Sequence, residues 1–182
     1  SLDGGNGSDV YLISAATEHT AGEIHDSGTS GVDELRFAGT SGTLVVYSTD
    51  TGLERVVLGT GTDPAAVTTA ASATSVDASQ ALNALSFVGN AGANRFDGTP
   101  FKDTLDGGAG NDTLAGGAGN DVYLVRDAGD VVSEGSAGGA GDEAGSFLAS
   151  YTLPANVEVG RILATGAANL TGNTLGLSLI HI

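Results

Sequence analysis

The sequence has no cysteine, methionine or tryptophan among its 182 residues. Without cysteine there is neither a disulfide framework nor a thiolate metal site, so structural zinc of that kind is excluded and stability must come from another source. Proline occurs three times, and four tyrosines and five phenylalanines are the whole aromatic content, which excludes a large aromatic core. Basic residues are scarce as well: six Lys plus Arg stand against 22 Asp plus Glu, a formal net charge of −16. Such a surface repels nucleic acid and anionic membranes and makes a cation the natural partner. No run approaches the ~18 apolar residues of a membrane span, and no basic stretch followed by an apolar one opens the sequence. Neither a membrane span nor a signal peptide is therefore read in these residues.

What is abundant is glycine, at 30 residues, which points to many tight turns around a thin core of Leu, Val, Ile and Ala. Both ends read as cuts through a longer chain. Ser1-Leu2-Asp3 enters a glycine-rich turn without an initiator Met, and Leu177 to Ile182 breaks the preceding pattern in the manner of a sequencing-adapter artefact. His181 is given no role.

The strongest signal is a period of nine in the middle of the chain. From Gly89 the blocks are GNAGANRFD, GTPFKDTLD, GGAGNDTLA, GGAGNDVYL and VRDAGDVVS. Their sixth positions are Asn94, Asp103, Asp112, Asp121 and Asp130, and their eighth are Phe96, Leu105, Leu114, Tyr123 and Val132. An isolated unit with Gly4, Gly5, Gly7 and Asp9 fits the same template near the start. Glycines at positions one, two and four permit positive φ, so that successive carbonyls can converge on one point while position six adds a carboxylate. Calcium accepts that mixture of backbone carbonyls and carboxylates. Ordinary ion-free β-turns use the same residues. Two carboxylates within about 4 Å, however, repel by something like 4 kcal/mol at an effective dielectric near 20, so repeated stacking without a cation is hard to rationalise.

These blocks resemble the haemolysin-type, or repeats-in-toxin (RTX), calcium-binding nonapeptide family, most completely from Gly107 to Leu124. The resemblance implies an all-β fold: a right-handed parallel β-roll or β-solenoid with calcium-binding turns, two nonapeptides to a turn. It stacks Asp103 on Asp121 along one edge and Asn94, Asp112 and Asp130 along the other. It also implies Ca2+ ligands among Asp103, Gly107, Gly108, Gly110, Asn111, Asp112, Gly116, Gly117, Gly119, Asn120, Asp121 and Asp130, with Gly4, Gly5, Gly7, Asp9 and Asn94 as weaker candidates. The best two sites would lie between Asp103 and Asp121 and between Asp112 and Asp130, with roughly one to three ions in the array. Asn94 lacks a carboxylate, Thr99-Pro100-Phe101 replaces turn positions and Val125-Arg126 replaces the opening glycines, so the flanking half-sites depart from the consensus.

A longer repeat of roughly 110 residues overlies the short one. Asp9-Val10-Tyr11-Leu12 recurs as Asp121-Val122-Tyr123-Leu124, Gly22-Glu23-Ile24 matches Gly129-Asp130-Val131, and Asp33-Glu34 matches Asp142-Glu143. Leu53-Glu54 likewise precedes an apolar run, as Val157-Glu158 does. Residues 44–47, 54–58 and 150–153 read as short strands, and the Ala-rich stretch 64–85 as a short helix or a loop. The expected organisation is the end of a nonapeptide array over 1–12, a calcium-free β region over 13–79, the main array over 80–133, a second calcium-free β region over 134–176, and the foreign tail 177–182.

No catalytic motif is visible, and the chain is expected not to be an enzyme. His19 and His25, among Glu18, Glu23 and Asp26, match no zinc-helix spacing and read as solvated loop residues. Gly138 to Glu143 imitates a calcium turn out of phase and reads as a flexible loop; three glycosylation sequons read as coincidence. The expected function is calcium binding that drives folding of a secreted or cell-surface bacterial module exported by one-step (type I) secretion, with further repeats of the parent chain as neighbours. The alternatives are the repeat region of an exported protease or lipase, or a spacer in a giant surface adhesin.

Overall fold

The computed structural model describes residues 1–61, 66–175 and 177–181. Among these there is no helix, and so none long and apolar enough to cross a membrane. Strands of two to four residues follow one another: β1 (Val10–Ile13), β2 (Glu34–Phe37), β3 (Thr43–Val45), β4 (Arg55–Leu58), β5 (Ser75–Asp77), β6 (Ser86–Val88), β7 (Arg95–Asp97) and β8 (Thr104–Asp106). The series continues with β9 (Thr113–Ala115), β10 (Val122–Val125), β11 (Val131–Val132), β12 (Glu143–Ser146), β13 (Ser150–Thr152), β14 (Val159–Ile162), β15 (Asn169–Thr171) and β16 (Ser178–His181). The expected strands at 44–47, 54–58 and 150–153 are β3, β4 and β13. Of the stretch 64–85, residues 64 and 65 lie outside the described part, and the remainder holds β5 and turns.

Apart from β1 and β2, consecutive strands do not pair. β1, β2, β4, β6, β8, β10, β12, β14 and β16 form one parallel sheet, β3, β5, β7, β9 and β11 a second, and β13 with β15 a short third. This is a parallel β-solenoid: the chain alternates between two faces and advances one strand spacing, about 4.8 Å, per turn. The strands are short because glycine turns interrupt them, and their centres face inward because side chains alternate across a strand.

The core is consequently a set of columns. In the first sheet Tyr11, Leu35, Val56, Phe87, Leu105, Tyr123 and Ala144 stand in register, each at most 6% exposed. Leu44, Val76, Phe96, Leu114 and Val132 face them from the second. Phe87 and Phe96 meet across the interior with ring centroids 5.4 Å apart. These columns leave the residue just before each strand at the corner of the solenoid, and the carboxylates stand there.

Candidate metal centre

Along the corner preceding the first sheet, one carboxylate oxygen per turn accepts the backbone N–H of the residue one turn earlier. Asp103 Oδ1 accepts from Leu85 at 2.7 Å, Asp121 Oδ1 from Asp103 at 2.8 Å, Asp142 Oδ1 from Asp121 at 2.7 Å and Glu158 Oε2 from Asp142 at 3.1 Å. Lower down, Asp33 Oδ1 accepts from Asp9 at 2.8 Å and Glu54 Oε2 from Asp33 at 2.8 Å. Leu85 interrupts the series between Glu54 and Asp103. The corner preceding the second sheet carries the shorter series, with Asp112 Oδ1 accepting from Asn94 at 2.8 Å and Asp130 Oδ1 from Asp112 at 3.0 Å. Both expected stacks are thus present, at the expected separation of 18 residues.

What the second oxygen does divides the units into two kinds. In the consensus units the carboxylate lies over the first glycine: a Cβ on Gly107 would sit 2.2 Å from Asp112 Oδ2, and one on Gly116 would sit 2.1 Å from Asp121 Oδ2. Gly4 is in the same relation to Asp9. In all three units Oδ2 is buried without a hydrogen-bond partner. Positive φ is confined to positions two and four, at Gly5 and Gly7, Gly108 and Gly110, and Gly117 and Gly119. The freedom that glycine permits at position one is not used for positive φ: glycine is needed there because the carboxylate leaves no room for a side chain.

In the degenerate units the amide of position two caps the carboxylate instead. Thr99 N–H donates to Asp103 Oδ2 at 2.6 Å, and Arg126 and Asp127 N–H both donate to Asp130 Oδ2 at 2.9 Å. At Asn94, Oδ1 accepts from Asn90 N–H at 2.9 Å, while Nδ2 lies 3.1 Å from Asn90 Oδ1 and 3.4 Å from the Ser72 and Thr74 carbonyls. That amide group supplies donors where a consensus unit has a bare oxygen. Asn111 and Asn120 are exposed, and Asn120 Oδ1 accepts from Ala140 N–H at 3.1 Å.

The electrostatics follow from the geometry. Burial pushes Asp103 up to about 6. Burial, aided by neighbouring carboxylates, pushes Asp112 and Asp121 up to about 7. A buried carboxylate with an unpartnered oxygen is costly unless neutralised, by a proton or by a cation.

Some residues stand differently from expectation. Gly138 to Glu143 is not a loose loop: Asp142 is fully buried in the acidic series and Glu143 opens β12. Its spacing of 21 residues from Asp121, against 18 inside the array, put it out of phase in the sequence. His19 is buried, not solvated, with Nε2 2.9 Å from Asp50 Oδ2; His25 is exposed and contacts Thr51 Oγ1 at 2.7 Å. The long repeat is real in register, but Ile24 bridges Leu2 as Val132, not Val131, pairs Leu114. That one-residue correction places Asp26 on Glu134, an equivalence the sequence alignment hid.

A parallel β-solenoid whose corners stack glycine-aspartate turns is a repeat module with oxygen-only sites suited to a hard divalent cation. Comparison identifies the repeat itself: residues 88–123 match the RTX calcium-binding nonapeptide repeat in four copies. RTX nonapeptide repeats bind Ca2+. No curated protein and no solved structure matches the chain.

Proposed function

We propose that the chain is a calcium-coupled folding module. The observation that carries this reading is the pair of buried, unpartnered oxygens, Asp112 Oδ2 and Asp121 Oδ2, in the two perfect nonapeptides. Asp112 and Asp121 would hold the ions with their stacked partners Asp130 and Asp103 and with the glycine turns at Gly107, Gly108, Gly110, Gly116, Gly117 and Gly119. Calcium supplies a double positive charge and accepts six to eight oxygens, which offsets the mutual repulsion of the acidic series. A site with a dissociation constant near 10⁻⁴ M in about 1 mM calcium gains about 1.4 kcal/mol. Several linked sites then decide whether so thin a core folds.

In a low-calcium cytosol that gain vanishes, and a chain of net charge −16 repels itself, which suits export in the unfolded state. RTX repeat proteins are typically secreted, and their repeats are typically non-catalytic. We therefore assign the chain a scaffold role outside a bacterial cell after type I secretion. The arrangement recurring around Asp9 and Asp121 favours a spacer of a surface protein over the repeat region of an exported protease or lipase. Flanking sequence distinguishes the two: further copies of the long unit mark the spacer, a catalytic motif the enzyme.

The test is a calcium titration followed by far-UV circular dichroism and calorimetry, with magnesium as control. A calcium-specific coil-to-β transition with an integral number of ions is expected. Equal β content in chelator, with no heat of binding, would refute the reading.

A further inference from the structure

At the end of the array, the oxygen left bare on Asp121 lies over Gly116 beside the Tyr123 hydroxyl. Ligand atoms of Asp121, Glu134 and Asp142 all lie within 4.8 Å of one another. Each comes from a different place: Asp121 from the last consensus turn, Glu134 from just beyond β11 in the same coil, and Asp142 from the coil above. Asp121 and Asp142 are both fully buried, and Asp121 Oδ2 has no partner. The ion pairs of this part of the molecule are Arg126 with Asp106 and Arg161 with Glu143, and neither touches the trio.

The arrangement is braced. Tyr123 Oη donates to Glu134 Oε2 and accepts the Gly116 N–H at 3.0 Å, while Glu134 Oε1 accepts the Gly135 N–H at 3.0 Å. A tyrosine at position eight of a consensus unit thus reaches back over position one and fixes an acid from outside the repeat. The same construction occurs at the other consensus unit that ends in Tyr-Leu. Asp9, Asp26 and Asp33 cluster within the same limit, Tyr11 Oη donates to Asp26 and accepts the Gly4 N–H at 2.8 Å, and Asp9 Oδ2 is buried and unpartnered.

We propose that Asp121, Glu134 and Asp142 form a further calcium site at the seam between the nonapeptide array and the next coil, with Tyr123 positioning Glu134. Asp9, Asp26 and Asp33, positioned by Tyr11, are its counterpart. The inference rests on the calcium-coupled reading, because Asp121 is shared with the nonapeptide stack. It goes beyond that reading by adding two ligands from outside the nonapeptide array, Glu134 and Asp142. Three carboxylates from three backbone segments, with no nitrogen or sulfur donor, select a hard cation tolerant of irregular geometry, hence calcium over zinc or magnesium.

The test uses the full chain, calorimetry with calcium, and Tb3+ emission excited through tyrosine. The sequence has no tryptophan, so Tyr123 and Tyr11 are the sensitisers beside the seam carboxylates. Glu134→Gln is expected to lose one ion from the calcium stoichiometry and about half of the sensitised emission, with the calcium-induced β transition retained. Asp112→Asn is expected to weaken nonapeptide binding and keep the emission. Unchanged stoichiometry and emission in Glu134→Gln would overturn the seam site while leaving the nonapeptide reading intact; a wild-type chain that takes up no calcium would overturn both. Should Glu134→Gln fail to fold, Glu134→Asp decides, because it keeps the charge and shortens the reach. A drop of about tenfold or more in the affinity for one ion supports the seam site, and unaltered affinity refutes it.

Discussion

Two kinds of turn share this solenoid, and they differ at one backbone amide. In the units that contain Asp112 and Asp121, position two is a glycine at φ 87° or 99°, and the position-six carboxylate keeps a buried oxygen free. In the units that contain Asp103 and Asp130, position two is Thr99 or Arg126, neither at positive φ, and its N–H closes onto that oxygen. A residue with a Cβ rarely adopts positive φ, so its amide stays where the carboxylate reaches it. The glycine turns that amide away. The consensus glycine therefore does more than let the chain bend: it withholds a hydrogen bond, and the withheld bond is what leaves room for a metal.

The comparison breaks most severely at Gly116. Gly116→Ala would put a Cβ 2.1 Å from Asp121 Oδ2 and 2.2 Å from Tyr123 Oη. The carboxylate and the phenol must both move. Loss of calcium binding at Asp121 and destabilisation of more than about 2 kcal/mol in saturating calcium are expected, measured by denaturant titration. A mild effect would mean that the carboxylate does not sit over the glycine.

The next largest effect is that of pH, because it acts on all the buried carboxylates together. With Asp103 near 6 and Asp112 and Asp121 near 7, against 3.8 in the ordinary range, the metal-free fold holds protons that the unfolded chain has released. Its stability is accordingly highest at low pH and falls as pH rises between about 4 and 7. Calcium reverses the trend, since protons compete for the same oxygens and affinity rises with pH over the upper part of that window. Denaturation in chelator at roughly pH 5 and pH 8, repeated with calcium, should show slopes of opposite sign. A metal-free chain that gains stability with pH would mean that these carboxylates are neutralised by something in the protein.

Much of this was legible in the sequence, for a physical reason. Two perfect nonapeptides in tandem fix an 18-residue coil, and that phase alone places Asp103 on Asp121 and Asp112 between Asn94 and Asp130. Legibility ended where the phase did. Asp142 continues the series after 21 residues because Gly138 to Gly141 take up the excess, so its turn reads as a loop. Glu134 and Asp26 obey no spacing, being brought in from the return side of the coil by a tyrosine. The available signal was that tyrosine, together with the Asp-Glu pair opening the next strand, Asp33-Glu34 and Asp142-Glu143. His19 was misread for a related reason, since Asp50, its buried partner, lies 31 residues away.

The smaller effects come from converting one kind of turn into the other. Asn94→Asp replaces the Nδ2 group that faces Asn90 Oδ1 with a second carboxylate oxygen one coil below Asp112. Calorimetry should show one additional ion or a tightened Asp112 site. In chelator the variant should lose about 1–3 kcal/mol, the cost of a buried charged group without its donors. If the chelated protein were unaffected, the Asn94 amide would not be standing in for a cation.

Thr99→Gly is the gentlest conversion and the most direct. It removes the Thr99 Oγ1 bond to Asp103 Oδ1, 3.0 Å long, and allows the position-two peptide to turn its N–H away from Asp103 Oδ2. Without calcium the change is unfavourable, by about 1 kcal/mol from the lost hydroxyl bond and the added freedom of the unfolded chain. With calcium the freed oxygen joins the Asp103–Asp121 stack, and affinity at that edge should rise enough to outweigh the loss. Stability in chelator and in calcium should therefore move in opposite directions. If both fall together, the Thr99 amide remains on Asp103 whatever residue carries it, and the distinction between the two kinds of turn lies in the neighbouring coil, not in position two.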